Sequence, residues 1–268
     1  MSSFATEARA LQRARPVTFR ARSAARRAAL TALSAIPRER RTGVRVVHYH
    51  YVFDDEREPF EQQLRFLARE FRPVSLSTAV ERLRTGRTDG DELVVTFDDG
   101  FLNQLKNAAP LLAELGISAC FYLVTDLLSA SREEAERFCR ARLHLPLPVE
   151  PLDWDSAANL LELGHEIGSH TRSHRVLTAL SSDQLDDELR GSRDELSRRL
   201  VPVRHLSVPY GDRTRFSERV ADAAREAGYE SCATALRGRN RGAQDLYALH
   251  RDHLDAGWPL RDVAFFLA

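Results

Sequence analysis

The chain has 268 residues, 43% of them hydrophobic and 29% charged, and a formal net charge of zero. That length supports one large α/β domain with a sizeable core, and no run of 18 uncharged apolar residues offers a membrane-spanning helix. Three cysteines without CxxC spacing (Cys120, Cys139, Cys232) read as free thiols of a reducing compartment.

The chain opens with a basic segment, residues 1–42, that holds ten arginines against Glu7 and Glu39. Its Ala-rich stretches, such as 21–35, are expected to be helical, forming a surface or solvated arm. The functional reading of the segment is peripheral contact with an anionic membrane surface. Aromatics are not interleaved with the arginines and no base-reading motif is visible, so nucleic acid is not an expected partner. The N-terminus shows no apolar stretch of secretory type, so a cytoplasmic location is expected, with the arm at the inner face of the membrane.

From Gly43 the pattern alternates between strand and helix. Residues 44–51 read as a strand, 60–70 as a helix through Phe60, Leu64 and Leu67, and 93–97 as a short apolar strand. A helix is predicted over 102–115, stopped by Gly116, then a strand over 119–124 and a charged helix over 131–142. A proline-containing loop leads to a helix over 156–163, stopped by Gly164, and a short strand over 166–169. Ser181 with Gln184 three residues on is a capping-box start, and the helix it opens carries Leu185, Leu189, Leu196 and Leu200 on one stripe. A strand over 205–208, a helix over 216–227 and further strands at Cys232 and 246–251 complete the reading. Repeated βα units with short connections predict a parallel sheet or a (β/α) barrel over 43–268, whose functional residues sit at the C-terminal ends of strands.

Those ends carry the chemistry. Val94-Val95-Thr96-Phe97-Asp98-Asp99-Gly100 places two adjacent carboxylates at the close of an apolar run. His170-Thr171-Arg172-Ser173-His174 places two imidazoles four residues apart, on one face if the segment is helical. Two imidazoles and one carboxylate suit a divalent transition metal, and the second carboxylate is then free to act on water, the minimal equipment for metal-assisted hydrolysis. His165 reads as a solvent-facing strand starter. His48 and His50 share a strand face, and His48 reads as a satisfied buried histidine.

Taken together, His48-Tyr49-His50, Thr96 to Gly100, His165 to His174, Val208-Pro209-Tyr210-Gly211, Ala227-Gly228-Tyr229 and Leu249-His250-Arg251 run in an order that resembles the polysaccharide deacetylase family, carbohydrate esterase family 4. The resemblance covers about residues 44–254 and leaves the arm outside. It implies a distorted (β/α) barrel, a saccharide substrate, and Zn²⁺ or a similar ion (Co, Ni or Mn) on Asp99, His170 and His174. It implies Asp98 as general base, Arg251 as the arginine that holds it, and the backbone N–H of Tyr210 as oxyanion donor. Pro209, Tyr210, His50 and Trp154 would line the substrate site, Trp154 reading otherwise as a core aromatic beside a helix cap. Strand alternation puts Arg251 and His253 on one face and His250 on the other, so His253 is the preferred general acid, with His250 and His50 as alternatives. One departure stands out: Ser207 occupies a position where many members carry arginine. The implied activity is hydrolysis of an N-acetyl or related N-acyl group on an amino sugar. The alternatives are another amide at the same site, or a catalytically weak carbohydrate-binding relative.

Overall fold

The computed structural model describes residues 4–18, 43–88, 90–241 and 246–267. Among the described residues nine strands form one sheet: β1 (Gly43–Tyr49), β2 (Arg72–Pro73), β3 (Asp91–Phe97), β4 (Ala119–Leu123), β5 (Glu166–Ser169), β6 (His205–Ser207), β7 (Ser231–Ala233), β8 (Arg239–Asn240) and β9 (Asp252–His253). The order is β7-β6-β5-β4-β3-β1-β8, parallel except for β8, with β2 added to β3 and β9 to β1. The segment entering β9 brings the two ends of this curl together. Leu249 bridges Ala233 of β7, and three residues later Asp252 pairs with Val47 of β1. The result is the distorted barrel expected, closed by a few residues of the C-terminal chain.

Alternation along the strands sorts the side chains. On β3, Val95 and Phe97 join the main apolar cluster under the helices, while Val94 packs with Val44, Val46, Cys120 and Tyr122 on the opposite face. Helix α3 (Leu76–Thr85) packs Leu76, Ala79, Val80 and Leu83 into this second cluster. Gly168 faces the Tyr122 ring so closely that a Cβ there would stand 2.4 Å from it, so a larger residue would displace the aromatic plug.

The remaining helices lie around the sheet: α1 (Ala8–Ala14), α2 (Arg57–Glu70), α4 (Ala109–Glu114), α5 (Arg132–Ala141), α6 (Trp154–Glu162), α7 (Ser182–Asp186), α8 (Ser192–Arg199), α9 (Glu218–Glu226) and α10 (Leu260–Leu267). The capping box at Ser181 forms as expected, but a π turn at Asp187–Gly191 joins α7 to α8. The helix predicted over 102–115 likewise begins as a π turn, Gln104–Ala108. The strand predicted over 246–251 is corrected: Leu246–Ala248 is a 3-10 turn, and the strand is Asp252–His253. Helices α1, α3 and α10 have no counterpart in the sequence reading.

The basic segment is also revised. Ala8 and Leu11 of α1 are buried against Phe53, Phe101, Cys139, Leu145 and Val149. Asp55 caps the helix by accepting from the Ala8 and Arg9 amides at 2.7 and 3.2 Å, and Ala5 N–H donates to the Pro148 carbonyl at 2.8 Å. Residues 5–11 therefore dock on the body of the molecule, and the Ala-rich stretch 21–35 lies outside the described residues. All three cysteines are buried free thiols. No helix among the described residues is long and apolar enough to cross a membrane.

Candidate metal centre and active site

Adjacent residues of a strand point to opposite faces, so two neighbouring carboxylates do not normally share a site. Here Asp98 follows the inward parity of Val94 and Thr96, and Asp99 adopts φ of +75°. That left-handed turn, uncommon for a residue with a Cβ, brings the second carboxylate to the same cavity. Gln104 fixes the strand ends by donating to the carbonyls of Asp98 (2.6 Å) and His50 (2.8 Å).

His170 and His174 do not lie on a helix, contrary to one reading of their spacing. They stand on the loop after β5, with Thr171 at φ +67° and His174 at φ +56°. Glu188, presented by the π turn, holds this loop: its carboxylate accepts from the Ser173 amide at 2.9 Å and from the Ser173 hydroxyl. Thr171 Oγ1 accepts from the His174 amide at 3.1 Å. His170 Nδ1 donates to the Ser207 carbonyl at 2.7 Å, which fixes the tautomer and leaves Nε2 as a lone-pair donor toward the cavity.

Asp99 Oδ1 lies 3.5 Å from His170 Nε2 and 3.4 Å from His174 Nε2, and all three side chains are buried. Neither Asp99 oxygen nor His174 Nδ1 has a hydrogen-bond partner among the described residues. Burial and the neighbouring Asp98 charge push the Asp99 carboxyl well above its usual range, while burial pushes both imidazoles down. A buried carboxylate with no cation of its own, facing neutral imidazoles, is the donor set that a divalent transition ion satisfies. The residues fit a metal.

Asp98 is compensated differently. Arg251 grips it in a fork, Nη1 to Oδ1 at 2.8 Å and Nη2 to Oδ2 at 2.7 Å. The guanidinium is itself held by the Thr234 carbonyl (2.8 Å), Thr96 Oγ1 (3.3 Å) and Ser207 Oγ (2.8 Å). Burial alone would push the Asp98 carboxyl up, but Arg251 and His170 outweigh it and hold Asp98 well below the usual carboxylate range. The serine at the departing position thus orients an arginine delivered from β9's approach. That role for Ser207, and those of Thr96, Thr234 and Glu188, were not visible in sequence.

The cavity measures about 840 Å³. His48, His50, Tyr210, Arg251 and His253 line it with Asp98, Asp99, His170 and His174, as alternation along β1 and β9 requires, while His250 does not. Tyr210, at φ +64°, packs its ring 4.8 Å from His174 and donates its hydroxyl to the Arg142 carbonyl at 2.8 Å. His50 lies within electrostatic reach of Asp98 and His170; burial first, then His253, His170 and Arg251 push it down to about 3 against the opposing pull of the Asp98 carboxylate. His253 stands at the rim, with Nε2 3.8 Å from Asp255. Leu11, Gln12 and Arg15 of the N-terminal segment and Trp258 and Phe266 near the C-terminus form the outer wall.

Three expectations fail. Trp154 is not brought to the cavity; it donates to Ser129 Oγ at 2.7 Å and lies under Arg199, which supports its reading as a packing aromatic beside the Asp153 cap. Pro209 shapes the turn before Tyr210 without lining the cavity. His165 is buried rather than solvent-facing, its Nε2 3.1 Å from the Ala109 carbonyl.

A curled, mostly parallel barrel sheet, a two-histidine, one-aspartate donor set at its strand ends and a second aspartate clamped by arginine define a narrow class of protein. The chain belongs to the polysaccharide deacetylase family, whose model matches residues 85–232. It is 24% identical over 168 residues to YxkH of Bacillus subtilis (strain 168), which is named for the same family. The match takes in 62% of this chain and 52% of that one, so the chain spans about half the length of the relative. Its fold is that of the Streptococcus pyogenes deacetylase PplD in complex with acetate (TM-score 0.71, 18% identity, 84% and 98% of the two chains covered). It matches IcaB from Ammonifex degensii equally well (TM-score 0.71, 22% identity, 85% and 99% covered). The deacetylase domain of BpsB from Bordetella bronchiseptica is similar too (TM-score 0.67, 19% identity, 82% and 98% covered).

Proposed function

We propose that the chain is a metal-dependent hydrolase that removes an N-acetyl, or related N-acyl, group from an amino sugar in a poly-, oligo- or lipid-linked saccharide. The observation that carries this reading is the buried Asp98–Arg251 pair beside the uncompensated Asp99 carboxylate and two imidazoles. A module that only bound sugar would have no use for an ionised, oriented base.

Asp99, His170 and His174 would hold the ion, with Zn²⁺ first and Co, Ni or Mn as alternatives. Bound there, it supplies Lewis acidity to the acyl carbonyl and to the attacking water. Asp98, kept ionised by Arg251, takes a proton from that water as its oxygen adds to the carbonyl carbon. The backbone N–H of Tyr210, which lines the cavity, would donate to the developing oxyanion. Collapse breaks the C–N bond, and an imidazole protonates the leaving amine, giving the free amino sugar and the carboxylic acid. His253 is the acid that strand alternation favours. His50, which lines the same cavity, is the alternative donor for that step.

The outer wall refines the substrate. Leu11, Phe53, Leu143, Leu145, Trp258 and Phe266 give the cavity an apolar flank. That flank favours a saccharide joined to an apolar group over a bare polysaccharide. The test is acid release by the metal-loaded protein from N-acylated sugars with and without a lipid or aryl aglycone. Release that disappears in Asp98→Asn supports the reading; no release from any of them removes it.

A further inference from the structure

A second cluster of ligand-type side chains stands in the same cavity, and the reaction above uses at most one of its members. His48 and His253 are directly paired across β1 and β9, and His50 lies two residues further along the same strand face. Their rings form a nearly equilateral triangle, with centroids 5.5 Å (His48–His50), 5.0 Å (His48–His253) and 5.2 Å (His50–His253) apart. One nitrogen from each lies within 4.8 Å of the others. His48 is 4% exposed, and its Nδ1 has no hydrogen-bond partner among the described residues. A buried imidazole nitrogen without a partner is costly in a purely structural role.

We propose that His48, His50 and His253 form a second divalent-metal site of the Zn²⁺ class, distinct from the Asp99–His170–His174 centre, and that its occupancy inhibits hydrolysis. Metal–nitrogen bonds of roughly 2.0–2.1 Å in a tetrahedral site place three imidazole centroids about 5 Å apart, the spacing seen here. The ligand nitrogens already lie within 4.8 Å of one another and would converge further by rotation of the rings. Three nitrogen donors select Zn²⁺, Ni²⁺ or Cu²⁺ over Mg²⁺ or Ca²⁺, and the open cavity leaves a fourth position for water. Arg251, a buried cation lining this cavity, is neutralised by its fork to Asp98, and the Asp255 carboxylate beside His253 adds negative charge at the rim. An imidazole that donates its lone pair to a metal cannot carry a proton to the leaving amine. The inhibitory clause rests on the hydrolase reading; the binding clause does not.

The experiment titrates Zn²⁺, and Co²⁺ as a spectroscopic stand-in, into the full-length chain already loaded with one ion. The expected result is a second, weaker equivalent with a Co²⁺ visible spectrum of its own. It is lost in His48→Gln and in His253→Gln, while the first ion and the far-ultraviolet circular dichroism are retained. Saturation of the wild-type chain at one ion overturns the site, and so does uptake of two ions by the His48→Gln/His253→Gln double variant. Filling the second equivalent should lower turnover roughly 10²-fold, the scale of a lost general acid. Undiminished turnover with two ions bound overturns inhibition. Should the chain hydrolyse no N-acylated sugar at all, the ion count still decides the site.

Discussion

At the scale of single residues, the decisive pair is Asp98 and Arg251, two side chains 153 positions apart that meet in a two-pronged ion pair. Arg251→Lys keeps the charge and loses the fork, so turnover should fall with metal content unchanged. Arg251→Ala should lower it further and also destabilise the fold by about 3–5 kcal/mol, because Asp98 is then left buried and unpaired. Wild-type kcat in Arg251→Ala would make the arginine purely structural. Asp98→Asn should retain the metal and lose about 10²–10⁴-fold in turnover, since an amide cannot accept the water's proton. Asp99→Asn or His174→Ala should instead lose the metal, measured by elemental analysis after dialysis. If Asp98→Asn empties the centre and Asp99→Asn does not, the two roles are exchanged. The grouping of Asp98, Asp99, His170 and His174 in one cavity was legible because these residue types stand at strand ends. The Ser207 contact was not, because a serine's partner depends on a strand that arrives from the far end of the chain.

At the scale of elements, the N-terminal helix makes the sharpest prediction. Leu11 is buried beside Phe53 and Leu145 and also faces the cavity. Leu11→Ala should cost about 2 kcal/mol in urea denaturation and raise KM while leaving kcat near wild type. An unchanged midpoint and KM would return α1 to the role of a loose arm. Its arginines point to solvent in any sequence reading, and the small apolar stripe Ala5, Ala8 and Leu11 that docks it is short enough to be masked by them. The main strands were readable as apolar runs bounded by turns. Helix α3 was equally readable in principle, through its Ser75 cap and the left-handed Gly86 that ends it. The His170–His174 loop was not. Its spacing fits a helix, and only the bonds from Glu188 and the left-handed Thr171 and His174 decide otherwise.

For the whole molecule, buried neutral histidines set the acid limit of stability. His205, within hydrogen-bond distance of Ser77 Oγ (3.0 Å) and Ser231 Oγ (2.9 Å), is pushed down to about 3, by burial first and then by Arg204 and Arg84. In the unfolded chain it titrates near 6.5. Its folded value is the lower one, so the unfolded state binds the extra proton between those limits. Stability is full above about pH 6.5 and falls as pH drops toward about 3. His205→Gln keeps polar groups beside both serines and removes this proton. The urea midpoint of the variant should therefore decline less steeply than wild type between about pH 6.5 and 4.5. Parallel declines would assign the acid sensitivity elsewhere.

The closing segment of the barrel has a consequence for the order in which the molecule becomes competent. Every proposed ligand, Asp99, His170 and His174, lies within residues 85–232, the stretch that the family model matches, whereas the fork on Asp98, the proposed base, comes from Arg251, beyond it. On the proposed reading, metal capture and base alignment would thus be separate properties of separate lengths of chain. If the proposed roles hold, a polypeptide emerging from the ribosome would complete its ligand set before it acquires the guanidinium that orients Asp98. Uptake of the ion is expected to come first and chemistry last, with the C-terminal strand acting as the final catch that arms an already assembled centre.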